Sequence, residues 1–332
     1  MYNFLFLSFL SGIMELGAVY IGIAQELPVI LIMALPFFYQ IGNLATNYMP
    51  RKRWMFIAMG NVVIVLSFFN VKSWCYPALA IQLMLCSSCI QMARDIYKKQ
   101  CPAWLKRSFR IAGFAASPLT LVANAQLVIL ISICFAIISL MANSRDFSDF
   151  VRPKSDSHGI SFVMVFHQIH YFVYTYIMPL FVFNITNNYC LSALAFAITW
   201  IVYLTPQTLA ERFEKVEYKM MFFICHMFLA VCLGLMSLFA SFHGTYIVLG
   251  VWLFTGLGGG SVFCIKYLSD RQKRINMDLS ENIGHVLGPV IAMIICAAAP
   301  GKETIYLLFT SCICVLIAIL FGVGTQFKED KR

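Results

Sequence analysis

Twelve apolar runs, separated by short polar connections, take up almost the whole chain. They lie at about residues 2–24, 28–49, 54–71, 75–94, 108–123, 125–142, 160–183, 190–209, 219–241, 245–267, 280–298 and 303–325. Each comes close to the roughly 17 to 25 apolar residues that a helix needs to cross a bilayer. The first run has no basic segment ahead of it, carries Glu15 and is too long for a signal-peptide core, so it reads as a span. Only 143–159 is long enough to be a hinge. The predicted fold is therefore all-α and polytopic, with about 12 transmembrane helices in two pseudo-symmetric six-helix halves, 1–142 and 160–332, joined by the connection 143–159. Residues 111–142 are the ambiguous stretch, readable as one long helix or as two crossings with the break at Pro118 and Asn124.

A repeat supports the two halves. Glu281-Asn-Ile-Gly-His-Val-Leu-Gly-Pro289 opens span 11, and Arg110-Ile-Ala-Gly-Phe-Ala-Ala-Ser-Pro118 opens span 5, 171 residues earlier. Both begin with a charge, place Gly (Gly113, Gly284) fourth and a small residue eighth (Ser117, Gly288), and end in Pro (Pro118, Pro289). A second echo pairs Cys86-Ser-Ser-Cys89 in span 4 with Leu257-Gly-Gly-Gly260 in span 10. Small residues let helices approach closely where no hydrophobic force drives them together in lipid.

Composition narrows the class. The chain has 332 residues, 61% of them hydrophobic and 12% charged, with mean hydropathy +0.80. A soluble domain carries about 25% charged residues, so this is a membrane protein and the bilayer is its first partner. Its net charge of +9 does not point to nucleic acid, because the basic residues sit in short patches between apolar runs. Of 24 Lys and Arg, 22 fall in 51–53, 94–110, 145–154, 212–219, 266–274 and 328–332. Basic residues accumulate on the cytoplasmic side, which makes every second connection cytoplasmic and places both termini inside the cell membrane. The same parity requires 111–142 to cross twice. The cysteines have no metal-site spacing, and no cofactor or metal is expected.

With this topology and these motifs, the chain resembles the major facilitator superfamily of secondary transporters. Gly284-His-Val-Leu-Gly-Pro289 is similar to the G-x-x-x-G-P motif of its exporters, although that motif sits in span 5 of the family, where this chain has the looser Gly113-Phe-Ala-Ala-Ser-Pro118. The segment from Gly42 to Arg53 occupies the place of G-x-x-x-D-R-x-G-R-R, keeping the Gly and the basic end but lacking Asp-Arg. The resemblance implies a central cavity between the halves, with spans 2 and 11, and 5 and 8, facing each other. On that geometry Arg51 and Arg53 would meet Glu281, and Arg110 would meet Glu211 and Glu214, as gate charges. Simple local roles compete with the gate: Ser280 reads as an N-cap with Glu281 in the first turn.

Several residues are candidates for chemistry. Glu15 lies mid-span, where a carboxylate is costly and usually faces a bundle interior or cavity; it could carry a proton exchanged against substrate, or be a structural bond to a neighbouring helix. His167 and His170 share one helical face of span 7 with Tyr174 by i, i+3 and i, i+4 spacing, either as a cavity patch or as interhelical contacts. Two His at i, i+3 without a carboxylate in the span make a weak metal site. Gln40, Asn43 and His285 are further polar candidates, and His226 reads as structural. The expected function is proton-coupled efflux of a small organic molecule such as an antibiotic, siderophore or peptide-like metabolite. The protein is expected to be a monomer with no enzymatic activity. Uptake by the same fold is the alternative, and an intramembrane enzyme using His167, His170 and Glu15 is the competing class, which the duplicated halves argue against.

Overall fold

A computed structural model describes residues 2–46, 48–49, 52–68, 75–97, 102–122, 124–142, 159–212, 217–242, 245–270 and 275–324. Among them all regular structure is helical, and one isolated bridge pairs Gly159 with Ile275. Helix is the form in which a lipid-embedded backbone satisfies its own hydrogen bonds within one segment. The helices are α1 (Tyr2–Ala24), α2 (Val29–Ala45), α3 (Arg53–Phe68), α4 (Cys75–Tyr97), α5 (Ala103–Ala115), α6 (Leu119–Val122) and α7 (Ala125–Met141). They continue as α8 (Phe162–Thr186), α9 (Tyr189–Arg212), α10 (Tyr218–Ser241), α11 (Thr245–Gly260), α12 (Val262–Asp270), α13 (Met277–Ala298) and α14 (Glu303–Gly324). Eight segments are long and apolar enough to span, counting α11 with α12 as one, and α2, α3 and α7 are shorter apolar helices. With α5 and α6 as one interrupted segment, the described residues make the twelve expected spans. The chain is an all-helical, multi-pass membrane protein.

Local chemistry explains the interruptions. α5 stops at Ala115, and Pro118, with no N–H, cannot continue its ladder. Asn124 then takes a left-handed φ of 66°, and its side chain accepts from Gln126 N at 3.1 Å to start α7, an arrangement Asn tolerates well. Span 10 breaks at Ser261, whose hydroxyl turns back to donate to the Gly258 carbonyl at 2.5 Å.

Span 11 starts one turn earlier than expected. Its N-cap is Asn276, accepting from Leu279 N at 3.0 Å, not Ser280, because the amide oxygen of Asn276 reaches the first-turn donor. Ser280 lies inside α13. It donates to the Asn276 carbonyl at 2.8 Å and accepts from Ser161 N at 2.9 Å, fastening the start of α8 to α13.

Two compact units emerge. The first contains α1–α7 together with Tyr189–Ala197 of α9, and the second contains α8, the remainder of α9 and α10–α14. Within the first, α5 and α6 run parallel to α1: Lys106 stands over Phe4 at 4.9 Å, Gly113 meets Gly12, and Thr120 meets Gly17. α2 is antiparallel to α1, with Ser11 beside Tyr39 and Gly22 beside Ile32. α4 runs with α2, because Tyr76 bonds Leu31 and Ser87 bonds Tyr39. α7 runs with α4, through Gln82–Gln126 at 3.1 Å and Tyr97 to the Ser139 carbonyl at 3.0 Å. α5 and α7 therefore point in opposite directions, so 111–142 crosses twice.

The second unit repeats these seams. α13 is parallel to α8, with Gly284 against Val165 and Gln168 and Gly288 against Phe172. α11 is parallel to α9, with Gly256 and Gly260 at the carbonyls of Thr199 and Tyr203. α10 is antiparallel to α14 through Ser237–Ile305 and Cys312–Ala230.

Candidate functional site

Each unit holds a buried polar cluster that contains candidate residues. In the first, Glu15 comes from the middle of α1 and its side chain is 3% exposed. Arg110 from α5 forms an ion pair with Glu15 Oε2, and Gln40 Nε2 from α2 donates to Oε1 at 3.1 Å. Each carboxylate oxygen thus accepts a hydrogen bond, as a buried ionised carboxylate requires. Removing one partner of such a pair costs about 3–5 kcal/mol, so Arg110 is what makes a charged Glu15 tolerable.

The network extends from there. Asn43 Nδ2 donates to Gln40 Oε1 at 3.4 Å, and Ser87 Oγ of α4 lies 2.8 Å from Asn43 Oδ1. Tyr39 Oη donates to the Ser11 carbonyl at 3.2 Å and lies 3.1 Å from Ser11 Oγ. Arg94 of α4 donates from Nη1 to Ser11 Oγ at 3.2 Å and to Gln91 Oε1 at 3.3 Å, and Gln91 Nε2 donates to Asp95 at 2.9 Å. A second guanidinium thus stands one turn of α1 from Glu15. The sequence had presented Arg94 only as part of a basic patch.

In the second unit, His167 and His170 of α8 are both buried, with ring centroids 4.6 Å apart. His167 Nδ1 lies 3.0 Å from Nε2 of His226 in α10. His226 Nδ1 lies 3.0 Å from the Phe222 carbonyl and 2.9 Å from Ser261 Oγ, at the break between α11 and α12. His226, read from sequence as structural, is thus a direct partner of His167; its lone position in span 9 gave no sign of which helix it faces. His285 is half-buried in α13. Tyr174 lies in α8, and its side chain is outside the described residues. Among the described residues no group of three or more His, Cys, Asp or Glu is arranged to hold a metal.

The expected gate charges sit as follows. Arg51 and Glu214 lie outside the described residues, and Arg53 opens α3. Arg110 pairs with Glu15, and Glu281 pairs with Lys266 of α12 at 3.1 Å; both partners are within the same unit as the residue. Glu211 accepts from Gln207 at 2.8 Å on its own exposed helix face. The motif glycines act in packing. A Cβ on Gly113 would strike the Phe9 carbonyl, and one on Gly284 would stand 2.5 Å from Gln168 Cβ and 2.6 Å from the Val165 carbonyl.

No protein-family profile matches the chain, and no curated protein matches it by sequence. Solved structures do match. A D-xylose–proton symporter is 12% identical with a TM-score of 0.68, the alignment covering 97% of each chain. A bacterial homologue of the iron transporter ferroportin in its inward-facing state is 15% identical with a TM-score of 0.63, again over 97% of each chain. The nucleoside transporter NupG is 10% identical with a TM-score of 0.60, over 97% of this chain and 96% of that one. The chain shares the fold of these membrane transporters.

Proposed function

We propose that the protein is a secondary-active transporter that moves a small organic molecule across the cell membrane in exchange for protons, with Glu15 as the proton-coupling residue. The observation that carries this is the ion pair of the buried Glu15 with the half-buried Arg110, with Gln40 on the remaining oxygen. A group that must give up an ion pair to take a proton has two states with different contacts, and only such differential contacts shift a conformational equilibrium. Neighbours of the same fold that carry xylose, nucleosides and iron support transport over catalysis. His167 and His170 would serve the same cycle from the second unit, Gln40 and Asn43 would line the path, and His285 would add polarity there. The outward direction rests on the likeness of Gly284–Pro289 to the exporter motif. A monomer with both termini in the cytoplasm completes the proposal.

Proteoliposomes bathed in a mixture of small organic solutes and energised by a pH gradient would test it, with retained solutes read by mass spectrometry. One class of solute should move against its gradient with the wild-type protein. A protonophore and Glu15→Gln should each stop it, because Gln keeps the shape but cannot release a proton. Movement unchanged in Glu15→Gln would remove the coupling role, and the direction of flux in the same vesicles separates export from uptake.

A further inference from the structure

The tautomers of the buried histidines in the second unit are fixed by their partners. A backbone carbonyl only accepts, so His226 Nδ1, 3.0 Å from the Phe222 carbonyl, must carry the hydrogen. Ser261 agrees: its single hydroxyl hydrogen goes to the Gly258 carbonyl, so its oxygen is an acceptor toward the same Nδ1–H. A neutral His226 then has its lone pair on Nε2. The nitrogen facing that lone pair, His167 Nδ1 at 3.0 Å, must donate. That assigns the hydrogen of a neutral His167 to Nδ1 as well and leaves Nε2 as its lone-pair nitrogen. Both rings are held in the form that free histidine in water disfavours, and the preference is imposed by α10 and by the break between α11 and α12.

We propose that His167 and His226 form a two-imidazole acceptor for a single proton, with Ser261 and the Phe222 carbonyl as the elements that position His226 to receive it. A proton arriving from water bonds to His167 Nε2. The His167 Nδ1–H bond then breaks as a His226 Nε2–H bond forms, and the charge is shared across one hydrogen bond. No other bond changes, and the pair gains one proton. Beyond His226 the hydrogens point at Phe222 and Gly258 carbonyls, which cannot pass a proton on. The pair is therefore a store that loads and unloads through His167, not a wire through the unit.

The surroundings set the charge balance. His170 stands on the same helix with its ring centroid 4.6 Å from that of His167, Lys266 and His285 are basic residues of α12 and α13, and α11 carries no charged residue. The thiols on the packed helices are Cys225 and Cys232 of α10, Cys264 of α12, Cys296 of α13, and Cys312 and Cys314 of α14. Lys266 would oppose a second positive charge, and its pair with Glu281 at 3.1 Å offsets that opposition. The proposal rests on the proton-coupled reading only for its use in the cycle.

¹⁵N-histidine NMR on the full chain in lipid nanodiscs reads the proposal without any transport measurement. His167 and His226 would be assigned by single substitution. At alkaline pH both should be Nδ1–H tautomers, and on acidification both should lose the neutral pattern together with uptake of one proton. His226→Gln keeps an acceptor for His167 Nδ1–H but cannot take the proton, so the shared titration should be lost. The reciprocal His167→Gln should abolish it while leaving His226 as the Nδ1–H form. An Nε2–H tautomer on either ring, two independent one-proton titrations, or an unchanged His167 titration in His226→Gln would each overturn the proposal. Glu15→Gln should leave the histidine signature intact, so a failure of the coupling role of Glu15 is distinguishable from a failure here.

Discussion

Substituting glycines by alanine, one at a time, separates close helix contact from helix propensity, because the two effects have opposite signs in this chain. Gly250 in α11 has nothing within 4 Å of the place its Cβ would take. Alanine there should only gain, by the roughly 0.8–1.0 kcal/mol by which Ala exceeds Gly inside a helix. Gly113 in α5 differs. Its Cβ would meet the Phe9 carbonyl oxygen and stand 3.1 Å from Gly12 Cα. Both are backbone atoms, so no side chain can rotate away and α5 must move off α1. Overpacking of this kind costs about 1–3 kcal/mol, which exceeds the propensity gain and leaves a net loss on the order of 1 kcal/mol. Gly284 should follow Gly113, since its contacts are the Val165 carbonyl and the Cβ of Gln168.

Thermal unfolding in detergent, followed by exposure of the buried thiols, would give the order. Gly250→Ala should unfold at or above the wild-type midpoint, and Gly113→Ala and Gly284→Ala below it. Gly113→Ala should also impair proton-driven flux, because Arg110 and Glu15 lie within one turn of the contact and their pair would be stretched. Equal shifts of the same sign at Gly250 and Gly113 would refute the assignment of the motif to backbone packing.

Two further outcomes follow from the ion pair and the charge pattern. Arg110→Leu should strand the buried Glu15 and destabilise the fold by about 3–5 kcal/mol, while Arg110→Leu combined with Glu15→Gln should recover most of the loss, both read as unfolding midpoints. Cysteines placed singly in 51–53, 143–159 and 328–332 should be labelled by impermeant reagent only from the cytoplasmic side; outside labelling of 143–159 would contradict the orientation inferred from the basic residues.

The spans were legible because lipid imposes one rule on every crossing segment, an apolar run of sufficient length, and α1 begins and ends where that run does. The break at Asn124 was legible from residue type, and the break at Ser261 was not. The run Gly256–Gly260 looked like uninterrupted packing surface, and what ends α11 is a hydroxyl returning to the Gly258 carbonyl. Polar partners were the least legible. Arg110 was expected to face Glu211 and Glu214 as part of a gate, and it pairs with Glu15, 95 residues away in sequence. Spacing along one helix says which residues share a face, but not which other helix that face meets. His226 shows the same limit, since its partner is 59 residues distant.

The repeat is readable in the sequence where backbone meets backbone. Gly113 and Gly284 hold equivalent seams, α1 with α5 and α8 with α13, and at each a side chain would collide with a carbonyl of the first helix in its unit. The residue type there is dictated by geometry, so the echo remains readable. The polar side chains beside those seams are under no such constraint. In the first unit α1 turns a carboxylate toward a guanidinium on the parallel helix; in the second, α8 turns an imidazole toward another imidazole on α10. One scaffold thus carries two different buried polar pairings, a carboxylate with a guanidinium in the first unit and two imidazoles joined by a hydrogen bond in the second.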